Sequence, residues 1–530
     1  METGRSLRVV IAEPFSSSGL NVLESAGIEI ASCVGGSRGA LLEAVRDADG
    51  LIVRSETRVD AELLQCASRL VVIGRAGVGV DAIDVTGATQ AGIVVVNTPA
   101  ANTLAATEQT FALLLALLRH TAGASTAIRA GRWERSPFIG SELYGKTLGI
   151  VGLGRIGSEV ASRARAFGMT VIACDPYVAD SRARAQDVSL VLLDELLRDA
   201  DIVTLHLPLN AQTKNLMGRE QFLLMKPQAV FVNCARGGLV DEPALLAALD
   251  AGRLRAAAID VIAHEPPEAG DTGARLHAHP NVLATPHLGG STHEALERIA
   301  VELAQDVVNV LQGRPAAGAV NAPIPTGADA QLLRPFVDLA YRMGLMLPQL
   351  GGPQALTELS LALGGSITQA DPRPLVTALL SGLLQNLSER RVSVVNSDRI
   401  AEELGLRLSS RTDQSHGAFA GWLRLTGMGH EIVGSILHSG PRVVEIDGYE
   451  VDTAPEGTLV VTRHRDVPGM IGRVGTLLGE GAVNISTMQV ARNGRGDALM
   501  LLAIDRPISK DIAKRLNGIA GMQSVQLLRL

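Results

Sequence analysis

The chain has 530 residues, a formal net charge of −7 at pH 7 and a hydrophobic fraction of 46%. This length is too great for one hydrophobic core and predicts about three or four domains of roughly 100–200 residues each. The acidic balance, without a basic tract, argues against a nucleic-acid-binding surface. The longest apolar run, Phe111–Leu118, is too short to span a membrane.

Cysteine usage and the N-terminal residues predict the compartment. The four cysteines are widely spaced and form no CxxC pair, which is typical of free thiols in a reducing environment. The first residues are polar and lack the apolar core of a secretory signal. We therefore expect a cytoplasmic protein, and no metal site is expected.

The first hundred residues alternate short apolar strands with amphipathic helical stretches, as in a parallel sheet covered by helices. The predicted strands are Leu7–Ala12, Gly50–Arg54, Leu70–Arg75 and Ile93–Asn97. An apolar helix is predicted over Thr107–Arg119, and it is long enough to cross between two lobes.

A second α/β unit begins at Gly145. Its predicted strands are Lys146–Val151, Thr170–Cys174, Ile202–His206, Val230–Asn233, Ala256–Asp260 and Val282–Ala284. A helix is predicted over Ser158–Phe167, directly after a glycine-rich turn. A long helix over residues 291–313 is expected to return to the first lobe.

The remainder of the chain contains a linker and two further units. Residues 313–327 concentrate glycine, proline and alanine, which predicts a linker. Residues 319–455 combine helical and strand-like runs without a cluster of catalytic type. Gly457–Leu530 reads as strand, helix, strand, strand, helix, strand, which is the βαββαβ pattern of ferredoxin-like domains.

The glycine-rich turn carries the pattern G-x-G-x-x-G as Gly152-Leu153-Gly154-Arg155-Ile156-Gly157. Placed between a strand and a helix, its glycines allow a tight turn, a close approach of pyrophosphate to the backbone, and close packing of helix on strand. Asp175 ends the next strand, where a carboxylate can accept both ribose hydroxyls and repel the 2′-phosphate of NADP. The sequence therefore predicts an NAD site.

Three polar stretches follow strands of the second unit and carry Arg236, Glu265 and His287. The carboxyl ends of parallel strands line one crevice, so we expect these side chains near a single cleft. A histidine can accept a hydroxyl proton, a carboxylate can fix its tautomer, and an arginine can hold a substrate carboxylate. The set predicts hydride-transfer chemistry. Each residue alone also suits a structural role, and His264 is a local alternative to His287.

Together these stretches resemble the D-isomer-specific 2-hydroxyacid dehydrogenase family. The resemblance covers about 310 residues and implies that Arg236 binds the substrate carboxylate and carbonyl while Glu265 and His287 relay the proton. It also implies that Asp260 contacts the nicotinamide amide. The cofactor-binding positions are then Gly152, Gly154, Arg155, Ile156, Gly157, Asp175, Cys234, Ala235, Asp260, Gly289 and Gly290.

Further stretches narrow the resemblance to the branch of that family that acts on D-3-phosphoglycerate. They are Ile52-Val53-Arg54-Ser55, Gly74-Arg75-Ala76-Gly77, Asn97-Thr98-Pro99 with Asn102, and Trp133-Glu134-Arg135. Arg54 and Arg75 follow buried strands, a natural place for a cationic pocket. The resemblance implies that Arg54, Ser55, Arg75 and Asn102 bind this substrate and that Arg135 is supplied across a dimer interface.

The C-terminal half resembles the long form of this branch, which carries an intervening domain and an ACT domain. The resemblance implies two doubly wound parallel-sheet lobes, one Rossmann-like and one flavodoxin-like, then an α+β domain and a ferredoxin-like domain. The predicted boundaries are 1–98 with 291–318 for the substrate-binding domain, 99–290 for the NAD-binding domain, 319–455 for the intervening domain and 456–530 for the ACT domain.

The ACT segment places His464, Asp466 and Asn484 at positions that resemble a serine-binding site. Such sites often lie between two copies, so a homodimer or homotetramer regulated by L-serine is expected. Two other functions remain open. One is a D-2-hydroxyacid dehydrogenase of glycerate or lactate type, and the other is a non-catalytic NAD(H)-sensing interaction protein on the same fold.

Overall fold

In the part of the chain that the computed structural model describes, the strands form four sheets. The described residues are 6–314, 316–323, 328–352, 357–385, 387–388, 390–413, 419–493 and 496–530. Among them, no single helix is long and apolar enough to cross a bilayer, and one pair of consecutive helices bent by 63° meets that test jointly by length and composition.

The first sheet is parallel and has the order β2-β1-β3-β4-β5, which is the flavodoxin-like order. Its strands are β1 (Arg8–Ile11), β2 (Glu29–Ser32), β3 (Gly50–Val53), β4 (Val72–Arg75) and β5 (Val94–Asn97). Helices α1 (Ser17–Ser25), α2 (Arg38–Ala44), α3 (Ala61–Cys66) and α4 (Val85–Gln90) cover it. The predicted strands are confirmed. The edge strand β2 was not predicted, because its ends are exposed and it has no apolar run.

The second sheet is also parallel, with the order β12-β11-β10-β9-β6-β7-β8, which is the Rossmann order extended by one strand. Its strands are β6 (Thr147–Val151), β7 (Thr170–Cys174), β8 (Ser189–Leu190), β9 (Ile202–Leu205), β10 (Ala229–Asn233), β11 (Leu254–Ile259) and β12 (Val282–Ala284). Its helices are α5 (Thr103–Leu118), α6 (Thr121–Arg129), α7 (Arg155–Ala166), α8 (Asp180–Arg184), α9 (Leu193–Asp199), α10 (Arg219–Leu224), α11 (Glu242–Asp250) and α12 (Thr272–Ala278). The chain order reverses between β6 and β9, where ligands bind in such sheets.

A long helix ties the two lobes together. This helix, α13 (His293–Leu311), leaves the second lobe and packs against α1, β4 and β5 of the first. Its residues Ile299, Leu303 and Val307 are buried in the first lobe's core. The predicted return of the chain is therefore confirmed.

The third sheet is mixed, with the order β14-β13-β15-β16-β17-β18 and one parallel pair, β13 with β14. Its strands are β13 (Glu358–Gly365), β14 (Arg407–Asp413), β15 (Gly421–Gly427), β16 (His430–Leu437), β17 (Gly440–Ile446) and β18 (Tyr449–Thr453). Its helices are α14 (Ala328–Gly351), α15 (Arg373–Leu384) and α16 (Ser397–Glu403).

The fourth sheet is antiparallel, with the order β20-β21-β19-β22 and the predicted βαββαβ connectivity. Its elements are β19 (Thr458–Arg465), α17 (Met470–Glu480), β20 (Ile485–Arg492), β21 (Asp497–Ile504), α18 (Lys510–Asn517) and β22 (Met522–Arg529). Helices α17 and α18 pack on one face of this sheet.

The other face of the fourth sheet packs against the third unit. Leu459, Val461, Leu501 and Leu528 belong to the same hydrophobic core as Leu339 of α14. Two sheets that share a core in this way bury apolar surface jointly, which couples their stability. The strands of each sheet all lie within one of the predicted domains. The exact domain boundaries stay a prediction.

This shared core predicts that a cavity in the fourth sheet destabilises the third. Leu528→Ala, at a fully buried position, should lower the free energy of unfolding by about 2–5 kcal/mol. Trp422 lies in β15 and is 3% exposed, whereas Trp133, the second tryptophan, is 78% exposed. The loss of buried Trp422 fluorescence in denaturant should therefore shift to lower concentration in this variant.

Leu404→Ala is the matched control, because Leu404 is 56% exposed, and its transition should stay within experimental error of wild type. A Trp422 transition that does not move in Leu528→Ala, while circular dichroism reports earlier melting, would contradict the shared core.

Candidate active site

A cleft of about 610 Å³ lies between the first and second lobes. The first lobe supplies Arg54 and Arg75, which follow or end β3 and β4, and the second supplies Glu265 and His287 from loops after β11 and β12. Because the carboxyl ends of both parallel sheets face this cleft, residues far apart in sequence converge there.

Glu265 and His287 form a hydrogen-bonded pair in the cleft. Glu265 Oε2 lies 2.7 Å from His287 Nδ1, and Glu265 Oε1 accepts a hydrogen bond from the Ile262 N–H at 3.1 Å. The alternative, His264, is exposed and does not line the cleft. The carboxylate is therefore placed to fix the imidazole tautomer and leave Nε2 as the second ring nitrogen for a ligand.

The charge state of Glu265 suits that role. Burial raises the pKa of this carboxyl, but the hydrogen bond and charge of His287, the Ile262 N–H and the charge of Arg236 together outweigh burial. The net pKa lies below the ordinary glutamate value. A carboxylate that stays ionised at neutral pH stabilises a protonated imidazole beside it.

Arg236 is held in place by its own turn and by the opposite lobe. Asn233 Nδ2 donates to the Arg236 carbonyl at 2.9 Å, and Arg236 Nη1 donates to the Ala235 carbonyl at 2.7 Å. Arg236 Nε donates to Asp81 Oδ2 of the first lobe at 3.2 Å. The guanidinium is thus positioned by an ion pair that spans the two lobes.

Two guanidinium groups act on a third beside the cleft. Arg54 and Arg75 line both the cleft and a smaller pocket of about 210 Å³, and Arg236 lines the smaller pocket with them. The pKa of Arg75 is lowered to about 10, first by burial and then by the charges of Arg236 and Arg54, against the opposing charges of Asp81 and Glu13. The group remains protonated at neutral pH. Mutual repulsion of this kind is relieved by an anionic ligand, so the cleft favours one with several negative charges.

Other predicted substrate residues divide between the cleft and the surface. Ser55 and Asn102 line the cleft, and Asn102 Oδ1 is buried without a hydrogen-bond partner among the described residues. A buried unpaired acceptor is ready to accept a hydrogen bond from a ligand. Arg135, in contrast, lies exposed beyond the cleft of its own chain.

Asp260 is 2% exposed and organises the loop that carries His287. One of its carboxylate oxygens accepts from the Leu288 N–H and the other from the Gly289 N–H, both at 2.8 Å. Thr285 Oγ1 donates to the same carboxylate. The carboxylate thus fixes the backbone on which His287, Gly289 and Gly290 stand.

The glycine-rich turn after β6 fits a dinucleotide. A Cβ atom on Gly152, at φ +96°, would lie 2.5 Å from the His206 carbonyl oxygen, and one on Gly157 would lie 2.1 Å from the Gly152 carbonyl oxygen. A Cβ atom on Gly154 would have no atom within 4 Å, which leaves open space beside the turn. The first and third glycines are required for packing, and the second leaves room for a pyrophosphate.

The helix after this turn begins earlier than predicted. It starts at Arg155 rather than Ser158, with Gly154 as its N-cap, so Arg155, Ile156 and Gly157 form its first turn. Glycine is a common N-cap, and the sequence-based boundary overlooked it. The free N–H groups of that turn face the space where phosphate oxygens bind in such sites.

Asp175, directly after β7, supports the turn. Its Oδ2 accepts from the Leu153 N–H at 2.8 Å, and its Oδ1 accepts from the Tyr177 N–H at 2.9 Å. The carboxylate is half-exposed and keeps lone pairs for ribose hydroxyls. Cys234 and Ala235 directly follow the carboxyl end of β10. Strand β10 is the neighbour of β9 in the sheet.

Comparison with known proteins agrees with this geometry. Residues 111–289 match the D-isomer specific 2-hydroxyacid dehydrogenase NAD binding domain, and residues 332–447 match the D-3-phosphoglycerate dehydrogenase intervening domain. The chain is 39% identical to D-3-phosphoglycerate dehydrogenase of Synechocystis sp. over 99% of this chain and 95% of that protein. It is also 39% identical to the Methanocaldococcus jannaschii enzyme of that name, over 99% of this chain and 100% of the relative.

The chain belongs to the D-3-phosphoglycerate dehydrogenase branch of the D-isomer-specific 2-hydroxyacid dehydrogenase family. It is an NAD-dependent oxidoreductase, and the predicted family, cofactor and enzyme class are confirmed.

Solved structures of the family resemble the first two lobes. A D-lactate dehydrogenase from Aquifex aeolicus, complexed with NAD and lactic acid, is 28% identical, with a TM-score of 0.53 over 58% of this chain and 96% of that one. A glyoxylate reductase from Paecilomyes thermophila is 31% identical, with a TM-score of 0.54 over 59% of this chain and 98% of that one. The structural resemblance therefore covers nearly the whole of each of these enzymes and about three fifths of this chain.

Sequence reasoning missed several residues that shape the site. Asp81 pairs with Arg236, Gln109 Nε2 donates to Thr285 Oγ1 at 3.1 Å, and His277 of α12 lines the cleft. The predicted strand-end patterns did not include these residues, because each is brought to the cleft by a loop or helix from elsewhere. Asp81 is an isolated charged residue at the end of an apolar stretch after β4. That isolated charge was the one sequence feature that could have indicated a role for Asp81 in the site.

One chain does not bring the three predicted effector residues together. His464 is 2% exposed and its Nδ1 contacts the Arg465 carbonyl, whereas Asp466 and Asn484 are exposed. Strands β19 and β20 run in the same direction on either side of β21, so Asn484 precedes β20 at one end while Asp466 follows β19 at the other. An eight-residue strand spans roughly 23 Å, which separates the two side chains within one copy.

The geometry of the turn predicts that Gly157→Ala abolishes tight cofactor binding. Its new Cβ would collide with the Gly152 carbonyl oxygen and displace the start of α7, and we expect NADH affinity to fall at least about tenfold. NADH fluorescence titration measures this. Gly472→Ala in α17 is the control, because no atom lies within 4 Å of its added Cβ. Wild-type NADH affinity in Gly157→Ala would refute the packing argument.

Proposed function

We propose that this chain oxidises D-3-phosphoglycerate to 3-phosphohydroxypyruvate with NAD, the first step of phosphorylated L-serine biosynthesis. The observation that carries the proposal is the convergence of Arg54, Arg75 and Arg236 on the cleft that contains the Glu265–His287 pair. The substrate bears a carboxylate and a phosphate, so its charges match this cluster. The relatives of that name align over nearly the whole chain.

Binding assigns each anionic group of the substrate to arginine. Arg236 holds the carboxylate and polarises the C2 oxygen, since a guanidinium can donate two parallel hydrogen bonds. Arg54 and Arg75 hold the phosphate end, together with Ser55, and Asn102 accepts a hydrogen bond through its unpaired Oδ1. This arrangement fixes which face of C2 is turned toward the cofactor.

Oxidation removes a proton from the C2 hydroxyl as the C2–H bond breaks. His287 accepts that proton, and the ionised Glu265 stabilises the imidazolium that forms. NAD, when bound, supplies the acceptor for the hydride. Arg236 stabilises the oxygen on which negative charge develops while the proton moves.

The cofactor contacts are assigned to the edge of the second sheet. Gly152, Gly154, Arg155, Ile156 and Gly157 hold the pyrophosphate. Asp175 holds the adenosine ribose and disfavours the 2′-phosphate of NADP. Asp260 orients the nicotinamide end, directly or through the loop it fixes, and the remaining assigned contacts are Cys234, Ala235, Gly289 and Gly290.

The substrate assignment is tested by NADH formation with D-3-phosphoglycerate, D-glycerate and D-lactate, in wild type and Arg54→Ala. We expect wild type to prefer the phosphorylated acid, and Arg54→Ala to raise KM for it about 10–100-fold, as for a lost charge-assisted contact. Arg58→Ala is the control, because Arg58 is an exposed arginine nearby.

The other outcomes identify the alternatives. Preference for D-glycerate or D-lactate would replace the substrate while keeping the enzyme class. Tight NADH binding without turnover of any of the three acids would favour the NAD(H)-sensing function.

We also propose that the enzyme is a homodimer in which Arg135 reaches the cleft of the partner subunit. Arg135 is surrounded in sequence by exposed apolar side chains: Trp133 is 78%, Ile139 is 77% and Tyr144 is 79% exposed. Large exposed apolar side chains close together mark an interaction surface. A cytoplasmic location is proposed with it, because the four cysteines are free.

The fourth unit is proposed to be an ACT domain that binds L-serine between two copies, which would make the enzyme a tetramer. Its edge strand β20 has exposed side chains at Thr487 and Met488, while the side chain of Gln489, the next residue, hydrogen-bonds the backbone of Asp452 in β18. A second copy running antiparallel along β20 would bring Asn484 of one copy toward Asp466 and His464 of the other. Pairing along an exposed strand edge is physically favourable.

The serine proposal predicts that L-serine lowers the rate of NADH formation and releases or absorbs binding heat. Asp466→Asn should weaken the response at least about tenfold, since a carboxylate partner of an ammonium group is lost. Asp511→Asn on α18 is an exposed control. A rate and a calorimetric trace that ignore serine would leave the ACT domain architectural.

A further inference from the structure

A buried carboxylate, Glu13, gathers the backbone of the loop that follows β3. Glu13 follows β1 and is 8% exposed. Its Oε1 accepts from the Arg54 N–H at 2.8 Å and from the Thr57 N–H at 2.9 Å, and its Oε2 accepts from the Glu56 N–H at 3.3 Å. Three N–H donors of one short loop thus converge on one side chain.

The loop held by Glu13 is the one that carries Arg54 and Ser55 into the cleft. Without the carboxylate, its N–H groups would have to find water or other partners, and an unsatisfied buried donor is costly. The nearby cation Arg75 repels Arg54, which favours movement of the loop away from the cleft. Glu13 opposes that movement through hydrogen bonds and through its own negative charge.

The electrostatics of Glu13 agree with a permanent carboxylate. Burial raises the pKa of Glu13, and the N–H groups of Arg54, Thr57 and Glu56 together with the Thr57 side chain lower it by more, so the net pKa lies below the ordinary value. A carboxylate that accepts several backbone N–H bonds remains ionised at working pH.

We propose that Glu13 is a positioning residue that sets the specificity of the cleft for the phosphorylated end of the substrate, by holding the loop 54–57 through its backbone. The proposal rests on the substrate proposed above. Glu13 touches neither substrate nor cofactor in this scheme and acts through Arg54.

Glutamate is the side chain that this arrangement requires. Glutamine keeps the shape but presents one carbonyl oxygen and one NH2 group, so a donor would face the donors of the loop. Aspartate keeps both oxygens and the charge, but withdraws them by one CH2 group and lengthens all three hydrogen bonds.

The test compares steady-state kinetics of wild type, Glu13→Gln, Arg54→Ala and the double variant. We expect Glu13→Gln to raise KM for D-3-phosphoglycerate at least about tenfold, with kcat within about threefold and NAD KM unchanged. D-Glycerate, which lacks the phosphate, should lose little. The double variant should match Arg54→Ala closely, because two changes that act through one contact are not additive.

Asp49→Asn is the matched control for a merely structural effect. Asp49 is a buried carboxylate at the opposite end of β3, where it accepts from the Arg8 N–H at 2.9 Å and from Arg69 Nη2 at 3.2 Å. It should lower thermal stability without a selective rise in KM. NADH titration of each variant reports on the second lobe independently of the loop.

The outcomes separate this proposal from the one on which it rests. A wild type that does not prefer the phosphorylated acid overturns both. A wild type that does, with Glu13→Gln unchanged in KM, or with equal losses on D-glycerate, overturns the role of Glu13 alone. Should Glu13→Gln fail to fold, Glu13→Asp carries the same KM prediction, and wild-type KM in that variant overturns the proposal.

Discussion

The arrangement of the cleft depends on the buried carboxylate of Asp260. Asp260 directly follows β11 and is 2% exposed. Its carboxylate accepts hydrogen bonds from the N–H groups of Leu288 and Gly289 and from the hydroxyl of Thr285. A carboxyl group buried at this depth is tolerated only with such hydrogen-bond partners, so the loop after β12 has one favourable position. The His287 N–H adds a hydrogen bond to the Asp260 carbonyl at 2.9 Å. The contact of His287 with Glu265 therefore depends on Asp260, which fixes the backbone on which His287 stands.

The same cleft concentrates positive charge on an acidic chain, and charge balance explains why its loops need anchors. Burial, and after it the charges of Arg236 and Arg54, lower the pKa of Arg75 to about 10 even with Asp81 and Glu13 nearby. The two carboxylates therefore reduce the repulsion without removing it. An anionic ligand neutralises the remaining positive charge, so the charge of the ligand contributes to the stability of the site. Hydroxy acids without a second anionic group therefore gain less binding free energy.

Sequence patterns predicted most strands and the polar residues that converge on the cleft, because both are recorded locally, in apolar runs and in the polar residues that follow them. Strand β2 escaped because an exposed edge strand needs no apolar run. Glu13 was not predicted because its partner Arg54 lies 41 positions away in the sequence. Asp81 was not predicted because its partner Arg236 lies 155 positions away. A hydrogen bond between a carboxylate and a distant backbone leaves no periodicity in the sequence. Such contacts are settled by packing of whole elements, which is why the supporting residues of the site appeared only in the structure.

The third and fourth sheets, which form the C-terminal half, share one hydrophobic core, so a displacement of one sheet displaces the other. The fourth sheet has α17 and α18 on one face and the core of the third unit on the other. Asp447 of the third unit also accepts hydrogen bonds from His430 and from Arg463 of β19. The two units are therefore joined by polar contacts as well as by the shared hydrophobic core. This combined body meets the first lobe where Arg391 donates to the Leu70 carbonyl at 2.6 Å, just before β4. Strand β4 is four residues long and ends at Arg75, so a shift of the C-terminal body bears on the strand that carries one of the cleft's three arginines. Closely packed protein interiors have low compressibility, so a displacement of the C-terminal body at Arg391 would be transmitted to β4 rather than absorbed.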